Sequence, residues 1–471
     1  MSHTANVTAE EAVHGLSAAQ RRFLEGLLPE GDRLFSAEET LVFGTDASRK
    51  CGTPLAVVRP TTEAQVVELL RWADAERLPV YPRARATNVV GGCVPQRPGI
   101  VLSTLRMAHI IDIDEHDFVA VVQPGVITAD LQRAVEARGL FYPPDPASQN
   151  ISSIGGNVAT CAGGMRAVRY GVTRDYVLGL RAVLPGGEVL ATGSRCHKNV
   201  VGLDLVRLLV GSEGTLGCLT EMTLKLLPLP EATASLLAGF SDLGAAMDAV
   251  RRVFAAGILP VALEFMGPEV LDCAALLNDV PWPKTVRAAL LFRLDGSRAA
   301  LPLEVDRLAA AVRDAAPVWS AVGVGRDEEE PLWTIRRSIN PASFLVKPDK
   351  MSDDVTVPRG RLREALEGIR AIAEARSLTI LTFGHVGDGN IHVNIMHDAS
   401  VTEEREHALA AKGEVTDLIL SLGGTLSGEH GVGLTKAPYV HRQLSKLERG
   451  LMAQVKAAFD PHGIMNPGKA Y

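Results

Sequence analysis

Two histidines seven residues apart, in the segment FGHVGDGNIHVN, have the types and spacing to hold a metal ion. His385 and His392 flank the turn Gly387-Asp388-Gly389, and a hairpin through that turn brings their imidazoles together. Asn394 follows His392 by two residues and projects from the same strand face. A second short segment, SGEHG, supplies Glu429 and His430 from a distant loop. Two neutral imidazoles and the Glu429 carboxylate make a His₂Glu set that suits a borderline divalent ion (Zn²⁺, Mn²⁺ or Fe²⁺) and leaves coordination positions open for a substrate. His430 then stands as the candidate general base, since an unligated imidazole with a pKa near ~6.5 accepts a proton at neutral pH and a ligated one does not. Taken singly, each of these histidines more often reads as an ordinary polar residue.

A second chemistry is carried by small residues. Three clusters, PRARATNVVGG at 82–92, SSIGGNVATCAGG at 152–164 and GSEGTLG at 211–217, allow main-chain N–H groups to converge on an anion. Any one of them is equally a tight loop; three in one stretch point to a large phosphate-containing cofactor. Two competing motifs fail. Gly463 to Lys469 matches the start of a P-loop, but no Ser or Thr follows the lysine and too little chain remains for the helix. No GxGxxG follows a strand, which argues against a Rossmann site.

The elements that must hold these loops are legible by periodicity. AAQRRFLEGLL is a helix within a polar leader, and MSHTANVTAEEAVHGL shows neither a basic start nor an apolar core for export. LAVV at 55–58 is a strand, and Thr62 with Gln65 forms a capping box opening a helix that buries Val66, Leu69, Leu70 and Ala73. Strands are expected at 100–103, 109–113 and 118–123, a helix at 128–138 ending on Gly139, and a hairpin at 181–193 turning at Pro185-Gly186-Gly187. LPLPEA at 227–232 reads as a linker. Beyond it, two strand–helix–strand rounds at 235–266 and 287–315 suggest helices on one sheet, followed by a less regular stretch and then the histidine hairpin.

At 471 residues the chain is long enough for two or three domains, and 46% hydrophobic with 22% charged residues excludes wholesale disorder. A net charge of 48 − 55 = −7 without a basic run argues against nucleic acid as partner. No apolar stretch is long enough for a transmembrane segment. Six cysteines without CxxC spacing fit reduced thiols in a cytoplasmic protein and exclude an iron–sulfur cluster of the usual spacing.

From about Pro54 onward these motifs resemble the vanillyl-alcohol oxidase (p-cresol methylhydroxylase) superfamily. Within it they resemble the D-2-hydroxyacid dehydrogenase branch, which includes D-lactate dehydrogenase and the catalytic glycolate oxidase subunit. The resemblance implies an α+β fold: a two-lobed FAD-binding domain of the p-cresol methylhydroxylase type and a ferredoxin-like α/β cap, with the C-terminus returning to the FAD domain. The expected divisions are a helical leader over 1–50, the FAD domain over 51–230, the cap with the metal site over 231–425, and the returning helical segment over 426–471. It implies FAD contacts at Arg83, Ala84, Arg85, Ala86, Thr87, Asn88 and Gly91, then at Pro144, Asp145 and Ser148. Further contacts are implied at Gly155, Gly156, Asn157, Thr160, Gly163 and Gly164, and at Glu213, Gly214, Gly217 and Asn466. The family's first loop usually reads R-G-x-G-T, whereas this chain has alanine at 84 and 86, and alanine resists positive φ. Thr87-Asn88 stands where some members tether the flavin, which implies noncovalent FAD.

The family's metal-and-base signature falls on His385, His392, Glu429 and His430, and its LWxxR segment puts Arg336 on the substrate carboxylate. Asn394, Asn340 and Lys350 complete the implied substrate contacts. Asn340 replaces the threonine of relatives that use diacids, which favours a small monoacid. The implied reaction is oxidation of a small D-2-hydroxyacid, D-lactate to pyruvate above all, with glycolate oxidation or a flavin-binding electron-transfer role as alternatives. The reduced flavin would pass electrons to a partner, an iron–sulfur subunit or an electron-transferring flavoprotein, which could also hold this chain at a membrane.

Overall fold

A computed structural model of the protein describes residues 15–470, so the reading of the extreme N-terminus lies outside the described residues. The N-terminal half builds two sheets. The first is four-stranded, in the order Arg33–Leu34, Ala56–Val58, Ile100–Ser103 and Val80–Arg83, the last three strands running parallel. Its helix Glu63–Ala75 opens with the Thr62/Gln65 capping box and buries Val66, Leu69, Leu70 and Ala73, as the 3.6-residue period requires. The second sheet is antiparallel and five-stranded: Ile110–Asp114, Val119–Val122, Cys218–Lys225, Val177–Val183 and Val189–Gly193. Along Cys218–Lys225 buried and half-buried residues alternate strictly, the period of a strand with one face on a core.

Leu227–Pro228 does not form a free linker. It is a two-residue strand paired with Leu140–Phe141, and the next strand starts at Ala232. Proline is tolerated there because the pairing is short and at an edge.

The third sheet has seven strands, all antiparallel, in the order Trp319–Val324, Ala232–Phe240, Ala288–Gly296, Ala262–Met266, Thr379–His385, Asn390–His397 and Asp349–Thr356. Helices pack on one sheet, as expected, and cover both of its faces. Leu243–Ala255, Leu301–Arg313, Leu362–Ala375 and Thr402–Ser421 share a core with one face, while Pro268–Ala274 and Arg326–Val346 pack on the other. Alternation in Ala232–Phe240 serves both layers: Leu236, Ala238 and Phe240 enter the first core and Leu237 the second. The stretch expected to be irregular contains the 21-residue helix Arg326–Val346. Pro331 and Pro341 lie inside it and read as breakers in sequence. Burial of Leu332, Trp333, Ile335, Ile339 and Ala342 overrides that local cost.

The C-terminal tail returns to the first sheet. Met465 bridges Val80 in parallel, with Val80 N–H donating to Ile464 (2.8 Å) and Asn466 N–H donating to the Val80 carbonyl (2.8 Å).

Candidate functional site

The two histidines meet as their spacing implies. Thr379–His385 and Asn390–His397 pair antiparallel around the Gly387-Asp388-Gly389 turn, and the Nε2 atoms of His385 and His392 lie 3.4 Å apart. Glu429 Oε1 lies 3.4 Å from His385 Nε2 and 3.7 Å from His392 Nε2. An ion about 2.0–2.1 Å from each of three tetrahedral ligands holds them roughly 3.3–3.4 Å apart, close to the spacing of this near-equilateral triangle. Burial and the neighbouring His385 charge push His392 down to about 3, so it is neutral, whereas Glu264 and Glu429 hold His385 well above its ordinary value despite burial, and a cation at the triangle would displace the Nε2 proton of His385.

Two buried carboxylates that the motifs did not reveal hold this cluster. Glu264, fully buried on the strand Ala262–Met266, accepts from His385 Nδ1 at 2.5 Å through Oε1. Its Oε2 accepts from Arg336 Nε at 2.8 Å and Nη2 at 2.7 Å. Burial alone would raise this carboxyl, but the His385 and Arg336 charges hold it down at about 2. The one signal in the sequence was a glutamate inside the apolar run VALEFM. Asp354, also fully buried, accepts from the backbone N–H of Gly428 (2.8 Å), Glu429 (2.7 Å) and His430 (3.3 Å). Its Oδ1 lies 3.1 Å from His430 Nδ1. Lys436, itself buried, pairs with Asp354 and with Asp353 at 2.9 Å. Despite burial, the His430 and Lys436 charges keep Asp354 well below the usual carboxylate range. Burial disfavours the charged form of His430, yet Asp354 lifts its pKa above the ordinary value. One aspartate therefore shapes the SGEHG loop and fixes the ring of His430, which stacks on His392 with centroids 5.5 Å apart.

Arg336 lies on the inner face of Arg326–Val346, its guanidinium 4.8 Å from the Phe383 ring. With Nε and Nη2 engaged by Glu264, Nη1 has no protein partner among the described residues. The whole fork expected for a carboxylate is thus reduced to its outer edge. Asn340, one turn further, lines the same cavity, as does buried Asn394. Lys350 does not line it. Its amine donates to Asn340 Oδ1 and, at 3.1 Å, to Ser343 Oγ, behind the wall.

The cavity, about 700 Å³, runs from this cluster into the small-residue loops. Arg83 to Asn88, Asp145, Ser148, Gly155 to Asn157, Thr160, Gly163, Glu213, Gly214 and Gly217 line it. Gly91, Pro144, Gly164 and Asn466 do not. Asn466 instead ties two loops together, donating to the carbonyls of Gly92 (2.8 Å) and Glu213 (2.6 Å). Gly164 gives room to Asp145, whose carbonyl would lie 2.5 Å from an added Cβ. The Arg83 guanidinium points away from the cavity to the carbonyls of Val42 (3.1 Å) and Thr45 (2.6 Å). Ala86 adopts φ +54° although alanine resists that region, whereas Ala84 does not need it.

The lining fits a phosphate-bearing group. The N–H groups of Arg85 to Val89, all residues that line the cavity, have no protein acceptor among the described residues, which leaves a row of donors available to an anion. Ser153 Oγ and Gln149 Oε1, buried on the same wall, also lack a partner. Loop and cluster are interlocked. Asn88 donates to the His430 carbonyl (3.2 Å), Glu213 accepts from Val432 (2.6 Å) and Gly433 (2.9 Å), and a Cβ on Gly163 would lie 2.7 Å from Glu429 Oε2.

Residues 229–470 match the family described as FAD linked oxidases, C-terminal domain, and residues 54–193 match the FAD binding domain family. The glycolate oxidase subunit GlcD of Bacillus subtilis is 40% identical over 92% of this chain and 92% of its own length. A D-lactate dehydrogenase of Anaerostipes hadrus is 33% identical, with 98% of this chain and 97% of that protein covered. Among solved structures, p-cresol methylhydroxylase with substrate bound superposes with a TM-score of 0.78 at 17% identity, covering 97% of this chain and 98% of that one, a likeness of fold.

Proposed function

The chain belongs to the family of FAD-linked oxidases, and from that premise we propose that it oxidises a small D-2-hydroxyacid, D-lactate to pyruvate in the first place, with a divalent ion at His385, His392 and Glu429. The observation that supports this reading is that one cavity joins a row of backbone donors suited to a dinucleotide and a three-ligand triangle with an adjacent imidazole. When bound, FAD supplies a two-electron acceptor, and the ion supplies a Lewis acid worth several kcal/mol of alkoxide stabilisation.

The protein's own groups do the rest. Arg336 offers its outer guanidinium edge to the substrate carboxylate. Asp354 engages His430 Nδ1, so Nε2 is the atom that takes the hydroxyl proton. Asn394 and Asn340 add hydrogen-bonding groups around the small acid. The loop over Arg83 to Asn88, with Ser153 and Gly155-Gly156 in the first turn of the helix Ile154–Thr160, lines the space that would hold the cofactor, noncovalently in this reading. Electrons leave to a separate acceptor protein, such as an iron–sulfur subunit or an electron-transferring flavoprotein. The six cysteines are free and scattered. No helix among the described residues is long and apolar enough to cross a membrane.

Glycolate is the second reading, favoured by the name of the 40% identical relative. The two substrates differ by one methyl group, worth about 1–3 kcal/mol to a pocket. The test is an anaerobic titration of the purified flavoprotein with D-lactate, L-lactate and glycolate, following the flavin's visible band. Bleaching by D-lactate with little response to L-lactate is expected. Bleaching by glycolate alone would move the assignment to the second reading. No bleaching by any of the three, in protein that binds flavin and metal, would sink both and leave an electron-transfer subunit.

A further inference from the structure

Glu264 occupies a position that neither a metal ligand nor a substrate contact explains. Its two oxygens are divided: Oε1 takes the Nδ1 proton of His385, and Oε2 takes both Nε and Nη2 of Arg336. The carboxylate is fully buried on a central strand, and its strand paired partner in the adjacent strand is His385 itself. It has no solvent-exposed surface, so a change in one partner's demand falls on the other. We propose that Glu264 is a positioning residue that couples the metal triangle to the arginine, so that the two sites bind as a linked pair. This inference rests on the metal reading above.

The physical chain is short. A cation on His385 Nε2 makes the Nδ1 proton more acidic and draws Glu264 towards the histidine. Arg336 is then less fully neutralised and a stronger receptor for a carboxylate. Conversely, an anion on the outer edge of Arg336 weakens its hold on Oε2. Glu264 then serves His385 more fully, and Nε2 becomes a better ligand. Linkage requires the two effects to be equal in free energy.

The coupling is separable from direct charge effects by a double-mutant cycle read on zinc affinity, measured by chelator competition on the flavin-loaded protein without any hydroxyacid. Arg336→Met should tighten zinc by about fivefold or more in the otherwise unaltered protein, although Arg336 does not belong to the triangle. In a Glu264→Gln background the same change should shift zinc by less than about twofold, because the amide cannot serve both partners with charge. Equal shifts in the two backgrounds would overturn the proposal, since direct repulsion alone is additive. Should Glu264→Gln lose its flavin, Glu264→Asp, too short to reach both partners, replaces it. If both fail, Arg336→Lys decides: it keeps the charge, so direct repulsion alone predicts an unchanged zinc affinity, which would overturn the coupling, whereas loss of the two-donor grip on Oε2 predicts tighter zinc. Rescue is a further check: Arg336→Lys retains a charge and should give an intermediate shift. Absence of zinc binding in the unaltered protein would instead strike the metal reading itself.

Discussion

The small-residue cradle and the histidine–carboxylate cluster share one cavity but are built on opposite terms. The cradle presents backbone. Its polar side chains mostly turn away to brace loops, as Arg83 does towards residues 42–45 and Asn466 between Gly92 and Glu213. The cluster presents side chains, and each charge in it is buried against an opposite one: Glu264 with Arg336, Asp354 with Lys436. A backbone site is damaged by atoms added, and a buried-charge site by partners removed. The regions should therefore fail differently under mutation.

The sharpest break is expected at the triangle. His392→Ala should remove the metal and lower kcat/KM for the hydroxyacid by roughly 10³-fold or more, the loss of several kcal/mol of Lewis-acid stabilisation, while the flavin spectrum persists. Steady-state rates and metal content on one preparation check this. Flavin loss in parallel with metal would mean that the two regions are not independent.

Asp354→Asn comes next. It unpairs Lys436 and releases His430, and turnover should fall between about 10² and 10⁴-fold, the range of general acid–base catalysis. Metal content should fall less than in His392→Ala, because the triangle keeps all three ligands.

Gly163→Ala crosses the boundary between the regions. A cradle residue gains one carbon, yet the clash falls on Glu429. We expect zinc affinity weaker by about 10–100-fold, comparable to loss of a supporting contact, with flavin affinity changed little. Weakened flavin with intact zinc would assign the glycine to the cofactor instead.

The smallest effect concerns Asp145, a buried carboxylate in the cradle wall. Burial raises Asp145 to about 6, opposed only in part by Arg166. Its folded pKa exceeds the ordinary value, so its contribution to stability is fully present below about pH 4 and is lost as pH rises through about 6. The ceiling is on the order of 3 kcal/mol. Thermal melts between pH 4.5 and 7 should show a shallower fall with rising pH in Asp145→Asn than in the unaltered protein. Parallel slopes would show that Asp145 is ionised throughout that range.

Much of this was legible beforehand. The capping box at Thr62 and Gln65, the hairpin turning at 185–187 and the meeting of His385 with His392 depend on contacts a few residues apart. The helix Arg326–Val346 was hidden because Pro331 and Pro341 contradict the local pattern that tertiary burial restores. The same limit hid Lys350's place behind Asn340 and the division of Arg336's donors, which depend on how a helix face meets a sheet.

What the sequence determined alone is therefore local: alternation that puts His392 and Asn394 on one strand face, glycines that let loops close, and a histidine pair set by a turn. The resemblance of its motifs pointed beyond that to a flavin and a metal. Only the tertiary structure decided which charges would share the interior. Glu264 meets a histidine 121 residues away, and Asp354 meets His430 across 76. Steric and hydrogen-bonding rules within a few residues fix the first kind of fact. A buried carboxylate is stable only where packing delivers its counter-charges, and no window of sequence contains both partners.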